Sequence, residues 1–269
     1  FLMVLSLILV AGFVFSVLWS IFSKGIPVLT WEMVTSLPGS GFYVGKQGGF
    51  LNAIVGSVYI VLGATFLGLL ISIPVVFYLS VYLKKDSRFG SIARLAFDVL
   101  FGVPSIVYGA FAFTIMIVVG IRASLLGGIL VETLLIVPIL IRSMDEVART
   151  IPKELLETAY SLGATKIETI GVVIRQIAPA IATATLLSVG RAMGDAAGVM
   201  FTAGFTDYIP ESLTDKAATL PLSVFFQLSA PQIEVQNRAY AAAVVLTVII
   251  LIISLSGRFI MRYFSKNKV

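Results

Sequence analysis

Residues 142–175 read RSMDEVARTIPKELLETAYSLGATKIETIGVVIR. This charged, amphipathic stretch lies between two apolar runs, 125–141 and 177–205. Thr150 is a candidate N-cap, and Pro152 suits the first helical turn. Leu155, Leu156, Ala159 and Leu162 then recur at helical spacing on one face. Gly163 ends that helix, because glycine accepts the left-handed conformation after a helix end. Thr165 and Glu168 have the spacing of a capping box for a second helix. The expectation is helix, glycine turn, helix, lying along a membrane surface with a small apolar ridge. Taken alone, these residues suit either a plain connecting helix or a docking surface for a partner.

The rest of the chain explains why the surface should be a membrane. Of 269 residues, 58% are hydrophobic and 12% charged, and mean hydropathy is +1.04. A soluble domain carries about 25% charged residues, so a soluble globular domain and a disordered chain are both excluded. Apolar runs of about 20 residues recur, enough to cross roughly 30 Å of hydrocarbon. Spans are expected at 2–22, 53–83, 92–120, 125–141, 177–205 and 239–264, with a kink at Pro74 and a break at 102–105. The fold class is all-α, a polytopic membrane protein with six transmembrane helices. The chain starts at Phe1, so the reading expects further residues before it. Residues 2–22 lack a small-x-small cleavage site and read as a retained span. There is no Cys and no His, which excludes disulfides, thiol nucleophiles, imidazole bases and His-rich metal sites. No metal site is expected.

Charge sets the orientation. Of 19 Lys and Arg, Lys24, Lys46, Arg122, Lys216 and Arg238 fall on one side, Arg191 falls inside a span, and the rest fall on the other side. The richer side, which holds 142–175 and both termini, reads as cytoplasmic. The outer loops are then 23–52 and 206–238. Within the second, LPLSVFFQLSA at 220–230 is apolar but too short to span, and suits an interfacial or re-entrant helix.

Charges inside spans are rare and need a reason. Arg191 lies about 14 residues, or 21 Å, into the fifth span, and Asp195 follows at i+4 on the same face. They suit either a self-neutralising pair or an arginine facing an anion path. Gly190, Gly194 and Gly198 make a small-residue stripe for close helix packing. The break GVPSIVYG at 102–109 frees backbone N–H groups at a half-helix start, a natural anion site. Ser105 and Tyr108 would add hydroxyls there, and a plain proline kink is the alternative. Asp98 is expected to pair with Arg94, and Glu132 has no evident role.

Glu157-Thr158-Ala159, followed by Gly163-Ala164, resembles the EAA loop of ABC importer permeases of the MetI-like type. Thr158 stands where Ala is usual, and Arg175-Gln176 replaces the usual closing Leu-Pro. The resemblance implies that Glu157, Thr158, Ala159, Gly163, Ala164 and Lys166 form a coupling helix seated in an ATPase groove. Residues 48–57 (GGFLNAIVGS), with Asn52, and the segment at 102–109 are similar to phosphate permease subunits PstA and PstC. Arg191-Ala192-Met193-Gly194-Asp195 resembles their Arg-Ala-x-Gly-Glu, with Asp195 for Glu. Phe201-Thr202-Ala203 and Leu220-Pro221-Leu222 look like the PstA type. That resemblance covers about 48–262 and implies a MetI-like type I importer permease fold. It implies a first helix and outer loop over 1–51 and a permease core over 52–264, with the coupling loop at 142–176. It places Arg191, Asp195, Ser105, Tyr108 and Asn52 on the substrate pathway. It also implies a PstC-like second permease, two PstB-like ATPase copies and an external PstS-like phosphate-binding protein. The setting is the prokaryotic cytoplasmic membrane, with no nucleic acid.

The chain has no Walker A motif. The nearest stretch, GSGFYVGKQ at 39–47, has Gln47 where Ser or Thr is needed. ATP and Mg would therefore bind the partner ATPase, and this chain would bind no cofactor. Competing readings are a MetI-like permease for another oxyanion or an amino acid, a stand-alone secondary transporter or channel, and an intramembrane aspartyl protease. The last fails because Ala192 replaces the glycine its motif needs, and no Tyr-Asp pair lies in a neighbouring span.

Overall fold

The computed structural model describes residues 2–39, 48–83 and 87–266, with side chains omitted for Lys153 and 260–266. Most of the 39–47 stretch, with Lys46, Lys84, Lys85 and Lys268, lies outside the described residues. The described chain is helical. In order, its helices are α1 (Leu2–Gly25), α2 (Trp31–Thr35), α3 (Leu51–Phe77), α4 (Arg88–Gly102), α5 (Ser105–Val119), α6 (Leu125–Ala148), α7 (Lys153–Ser161), α8 (Lys166–Gly194), α9 (Val199–Thr202), α10 (Leu220–Leu228) and α11 (Ile233–Lys266).

Five of these runs are long and apolar enough to cross a membrane: α1, α3 with the turn after it, α6, α8 and α11. The sixth crossing is the pair α4 and α5, bent by 101° at 103–104. Arg94 of α4 binds Asp145 near one end of α6, while the chain leaving α5 meets the other end at Ser124. The bent pair therefore covers the same thickness as α6. The break forms because Pro104 has no N–H and biases Val103 to extended backbone, here φ −71° and ψ 130°. Side-chain caps start the flanking helices: Ser87 accepts from Gly90 N–H, and Ser124 from Gly127 N–H.

The core is the packing of α3, α6 and α8. Val61, Ala64 and Val76 of α3 meet Ile136, Leu140 and Met144 of α6, and Val173, Ile177 and Ala184 of α8 close the layer. Gly56 sets the approach of the outer loop, since an added Cβ would sit 2.1 Å from the Ala218 carbonyl oxygen. Pro74 does not break α3. The helix widens into a π turn at Tyr78–Tyr82, where Leu83 N–H reaches Tyr78 C=O. α10 is inserted rather than laid on the surface. Leu220, Pro221, Leu222 and Ser223 are buried, and Leu220 N–H donates to Ser57 Oγ of α3. α1 is peripheral: its apolar side chains are mostly exposed, and it meets α11 where Gly25 abuts the Tyr240 carbonyl.

Four expectations change. The second helix of the 142–175 pair is not separate, because α8 runs unbroken from Lys166 to Gly194, about 43 Å. It also ends eleven residues before 205, so Arg191 lies in its last turn rather than mid-helix. Thr150 does not cap α7; its hydroxyl donates to Val147 C=O, and Pro152 takes the cap position. Asp98 pairs with Arg142 at 3.4 Å, because Asp145 claims Arg94.

Candidate functional site

The site is built around the bend between α4 and α5. Leu100 C=O takes bonds from Val103 N–H and from Tyr108 O–H, the latter at 2.8 Å. Tyr108 thus staples the bend, and its proton is committed there. Ser105 opens α5, half-buried, next to the proline. At the end of α4, Phe101 is exposed between two guanidinium groups: Arg142 lies 5.0 Å and Arg191 5.9 Å from its ring centre. Both distances suit cation–π contact.

Arg191 is exposed in the last turn of α8, where the negative end of the helix dipole favours a cation. Among the described residues no carboxylate forms an ion pair with it. Asp195 is not on the same helix face, because it is the C-cap, with extended backbone. Its carboxylate accepts from Gly198 N–H at 2.7 Å and folds the chain into a tight turn before α9. Gly198 therefore leaves the predicted stripe and packs inside: a Cβ there would meet Asp195 Oδ2 at 2.6 Å. α5 approaches the same turn closely, with Gly109 facing the Gly198 carbonyl. Gly190 and Gly194 have nothing within 4 Å of an added Cβ, so that face of α8 is uncovered in this chain.

Glu132 of α6 is fully buried, and its Oε1 lies 3.4 Å from where a Gly198 Cβ would stand, the same point that Asp195 Oδ2 approaches to 2.6 Å. Glu132 lies about 10 Å along α6 from the first residue of that helix, which is long and apolar enough to cross a membrane. Asp195 also lines a small cavity of about 10 Å³ with Ser57 and Thr219, near the size at which one water fits. Asn52 is used differently: it is fully buried, and its Nδ2 donates to Thr206 C=O at 2.6 Å, tying α3 to the outer loop.

Toward the other end of α6, Arg94 grips Asp145 through two bonds of 2.7 and 3.1 Å. A cavity of about 440 Å³ opens beside this pair, lined by Arg94, Asp98, Arg142, Asp145, Glu146 and Arg149 among others. The sequence reading missed this cluster. Its acids and bases sit 51 and 44 positions apart, and only helix packing joins them.

Residues 72–268 match the family of binding-protein-dependent transport system inner membrane components. The chain belongs to this family. This transport-system permease is 32% identical over 270 residues to the phosphate transport system permease protein PstA of Yersinia pestis, covering 99% of this chain and 90% of that one. It is 30% identical to the PstA of Haemophilus influenzae over 244 residues, covering 90% and 85%. A chain of the MetNI methionine ABC transporter, solved in an inward-facing conformation, superposes with a TM-score of 0.63 at 17% identity, over 79% of this chain and 94% of that one. The fold is that of MetI-like importer permeases.

In this permease the turn between α7 and α8 is formed as its residues suggest. Gly163 has φ +85° and open space around it. The capping box is present: Thr165 N–H donates to Glu168 at 2.7 Å, and Glu168 N–H donates to Thr165 Oγ1 at 3.3 Å. Glu157, Thr158 and Lys166 are exposed, while Ala159 and Ala164 are half-buried. Leu162 is 83% and Ile167 72% exposed, an apolar pair held out in a charged surface. Lys166 Nζ lies 5.4 Å over Tyr82 in the π turn after α3, which joins this turn to a core span.

Proposed function

We propose that this permease is a subunit of an ATP-driven importer of inorganic phosphate, and that Arg191 lies on the phosphate path. One observation carries the reading: an exposed arginine, with no carboxylate within 4 Å among the described residues, at membrane depth beside a half-helix start. An arginine facing lipid there would cost about 2.5 kcal/mol or more. It therefore faces a water-filled cavity or a second subunit. The α5 N-terminus adds its positive dipole end. Together they suit a divalent or monovalent oxyanion, in keeping with the phosphate permeases to which the sequence is similar.

The uncovered Gly190 and Gly194 face suits a PstC-like second permease, with the path between the two subunits. The Glu157–Lys166 surface, with Leu162 and Ile167, suits the groove of a PstB-like ATPase, two copies of which bind ATP and Mg. A PstS-like protein delivers phosphate from outside. The permease core is 52–264, both termini are cytoplasmic, and the membrane is the cytoplasmic membrane. ATP-driven closure of the ATPases moves α7 and, through Lys166 and Tyr82, the end of α3. The cavity then opens outward, and hydrolysis resets it. Anions released inward meet Arg142 across Phe101 and then the 440 Å³ cavity. The test is uptake by Arg191→Gln and Arg191→Lys in the assembled complex. Loss in the first with partial retention in the second supports the reading; a wild-type rate in Arg191→Gln overturns it.

A further inference from the structure

Glu132 is absorbed by none of the above. It is an acid in an apolar helix, with no exposed surface. Among the described residues no N–H or O–H reaches either of its carboxyl oxygens. Yet Glu132 shares its pocket with the Asp195 carboxyl: Glu132 Oε1 lies 3.4 Å and Asp195 Oδ2 2.6 Å from the point where a Gly198 Cβ would stand. An ionised carboxylate is an acceptor only. Two carboxyls in this contact hold together only when a proton lies between them; without it, two like charges face each other out of water.

We propose that Glu132 and Asp195 form a proton-binding site, in which the Glu132 O–H donates to the Asp195 carboxylate and fastens α6 to the turn between α8 and α9. The charged and titratable groups around the site are few. α8 presents Arg191, and the turn presents Asp195, which also accepts from Gly198 N–H. α5 presents Tyr108, whose O–H is held by Leu100. α9 has no ionisable side chain, and the one on α3, Tyr59, is exposed. The next ionisable residue on α6 is Arg142, about 15 Å along the helix. The small cavity shared by Asp195, Ser57 and Thr219 gives a route for the proton to one water.

The consequence rests on the phosphate-path reading of Arg191. With the proton in place, the pair carries one negative charge and Arg191 balances it. With the proton gone, the pair carries two, the cluster is net negative, and an anion approaching Arg191 is repelled. The Asp195–Gly198 turn also loses its tie to α6. Transport should therefore fall on the alkaline side as the site empties.

Two measurements on the intact complex in lipid nanodiscs test this. Infrared difference spectra should show a carboxylic-acid C=O band in the wild type that shifts in D2O and is missing in Glu132→Gln. Uptake by Glu132→Gln, whose amide N–H still donates to Asp195, should match the wild type at neutral pH and lose the alkaline fall. Absence of the band from the wild type overturns the site, and this arm holds whatever solute is carried and whether or not the variant assembles. An unchanged pH profile in an assembled Glu132→Gln overturns the link to transport. A band present alongside failed phosphate uptake in the wild type would reject the phosphate reading and leave the proton site standing.

Discussion

Replacing Gly163 isolates backbone conformation from contact. Its φ is +85°, and beyond its chain neighbours no atom lies within 4 Å of where a Cβ would stand, so the Cβ of Ala, Asn or Val has room. The left-handed conformation itself penalises an L residue by roughly 1–2 kcal/mol, and Asn is among the residues that tolerate it. β-branched Val is a still poorer fit there. If the turn must hold this shape to present Leu162 and Ile167, the strain is drawn from ATPase docking. A loss of about 1–2 kcal/mol corresponds to roughly 5–30-fold weaker binding. The assay is titration of the ATPase subunit onto the permease complex in nanodiscs, with uptake measured in parallel. The expected order of affinity is Gly, then Asn, then Ala, then Val. Equal affinity for Gly and Ala, or Asn no better than Ala, would refute the argument that this turn sets docking.

Three further outcomes follow from the geometry. Arg94→Met leaves Asp145 buried without its partner and should lower stability by roughly 3–5 kcal/mol, while Arg94→Met with Asp145→Leu should recover most of it in thermal unfolding. Gly56→Ala drives a Cβ into the Ala218 carbonyl, a backbone atom that cannot rotate away, and should lower stability by about 1–3 kcal/mol with a measurable fall in Tm. The N–H and side chain of Ser212, then the N–H of Glu211, hold the Asp215 carboxyl below its usual range. That stabilisation is present above the ordinary carboxylate pKa and is lost as pH falls through the lowered one. Because Asp215 C=O accepts from Leu125 N–H, the protection of that amide, taken against its intrinsic exchange rate at each pH, should fall only in that acid window, and Asp215→Asn should remove the dependence.

Some local signals held and others did not: Thr150 and the Arg94–Asp98 spacing misled, because Pro152 takes the cap position and Asp145 claims Arg94. The Gly163 turn, the Thr165–Glu168 box and the break at Pro104 follow from a residue and its neighbours within four positions. Span five was misread because Ala, Gly and Ser carry 178–198 smoothly past Gly194. Only Asp195, turning to accept from Gly198 N–H, stops the helix. The i+4 spacing of Arg191 and Asp195 therefore suggested a pair that the backbone does not make. Glu132 was visible as an acid in an apolar run, but its neighbour is 63 positions away. Separations of 51 and 44 positions likewise hid the exchange of partners among Arg94, Asp98, Arg142 and Asp145. Asn52 and Tyr108 carry hydrogen bonds that hold the frame, which spacing could not tell from a role on the path.

The most direct measurement is uptake of labelled phosphate into proteoliposomes holding the assembled complex with its binding protein. ATP inside is supplied or withheld, with another tetrahedral oxyanion and an amino acid as comparison solutes. The account predicts phosphate accumulation that requires ATP and is lost in Arg191→Gln while the ATPase stays docked. Phosphate entry that ignores ATP, or ATP-driven uptake of another solute alone, would contradict it.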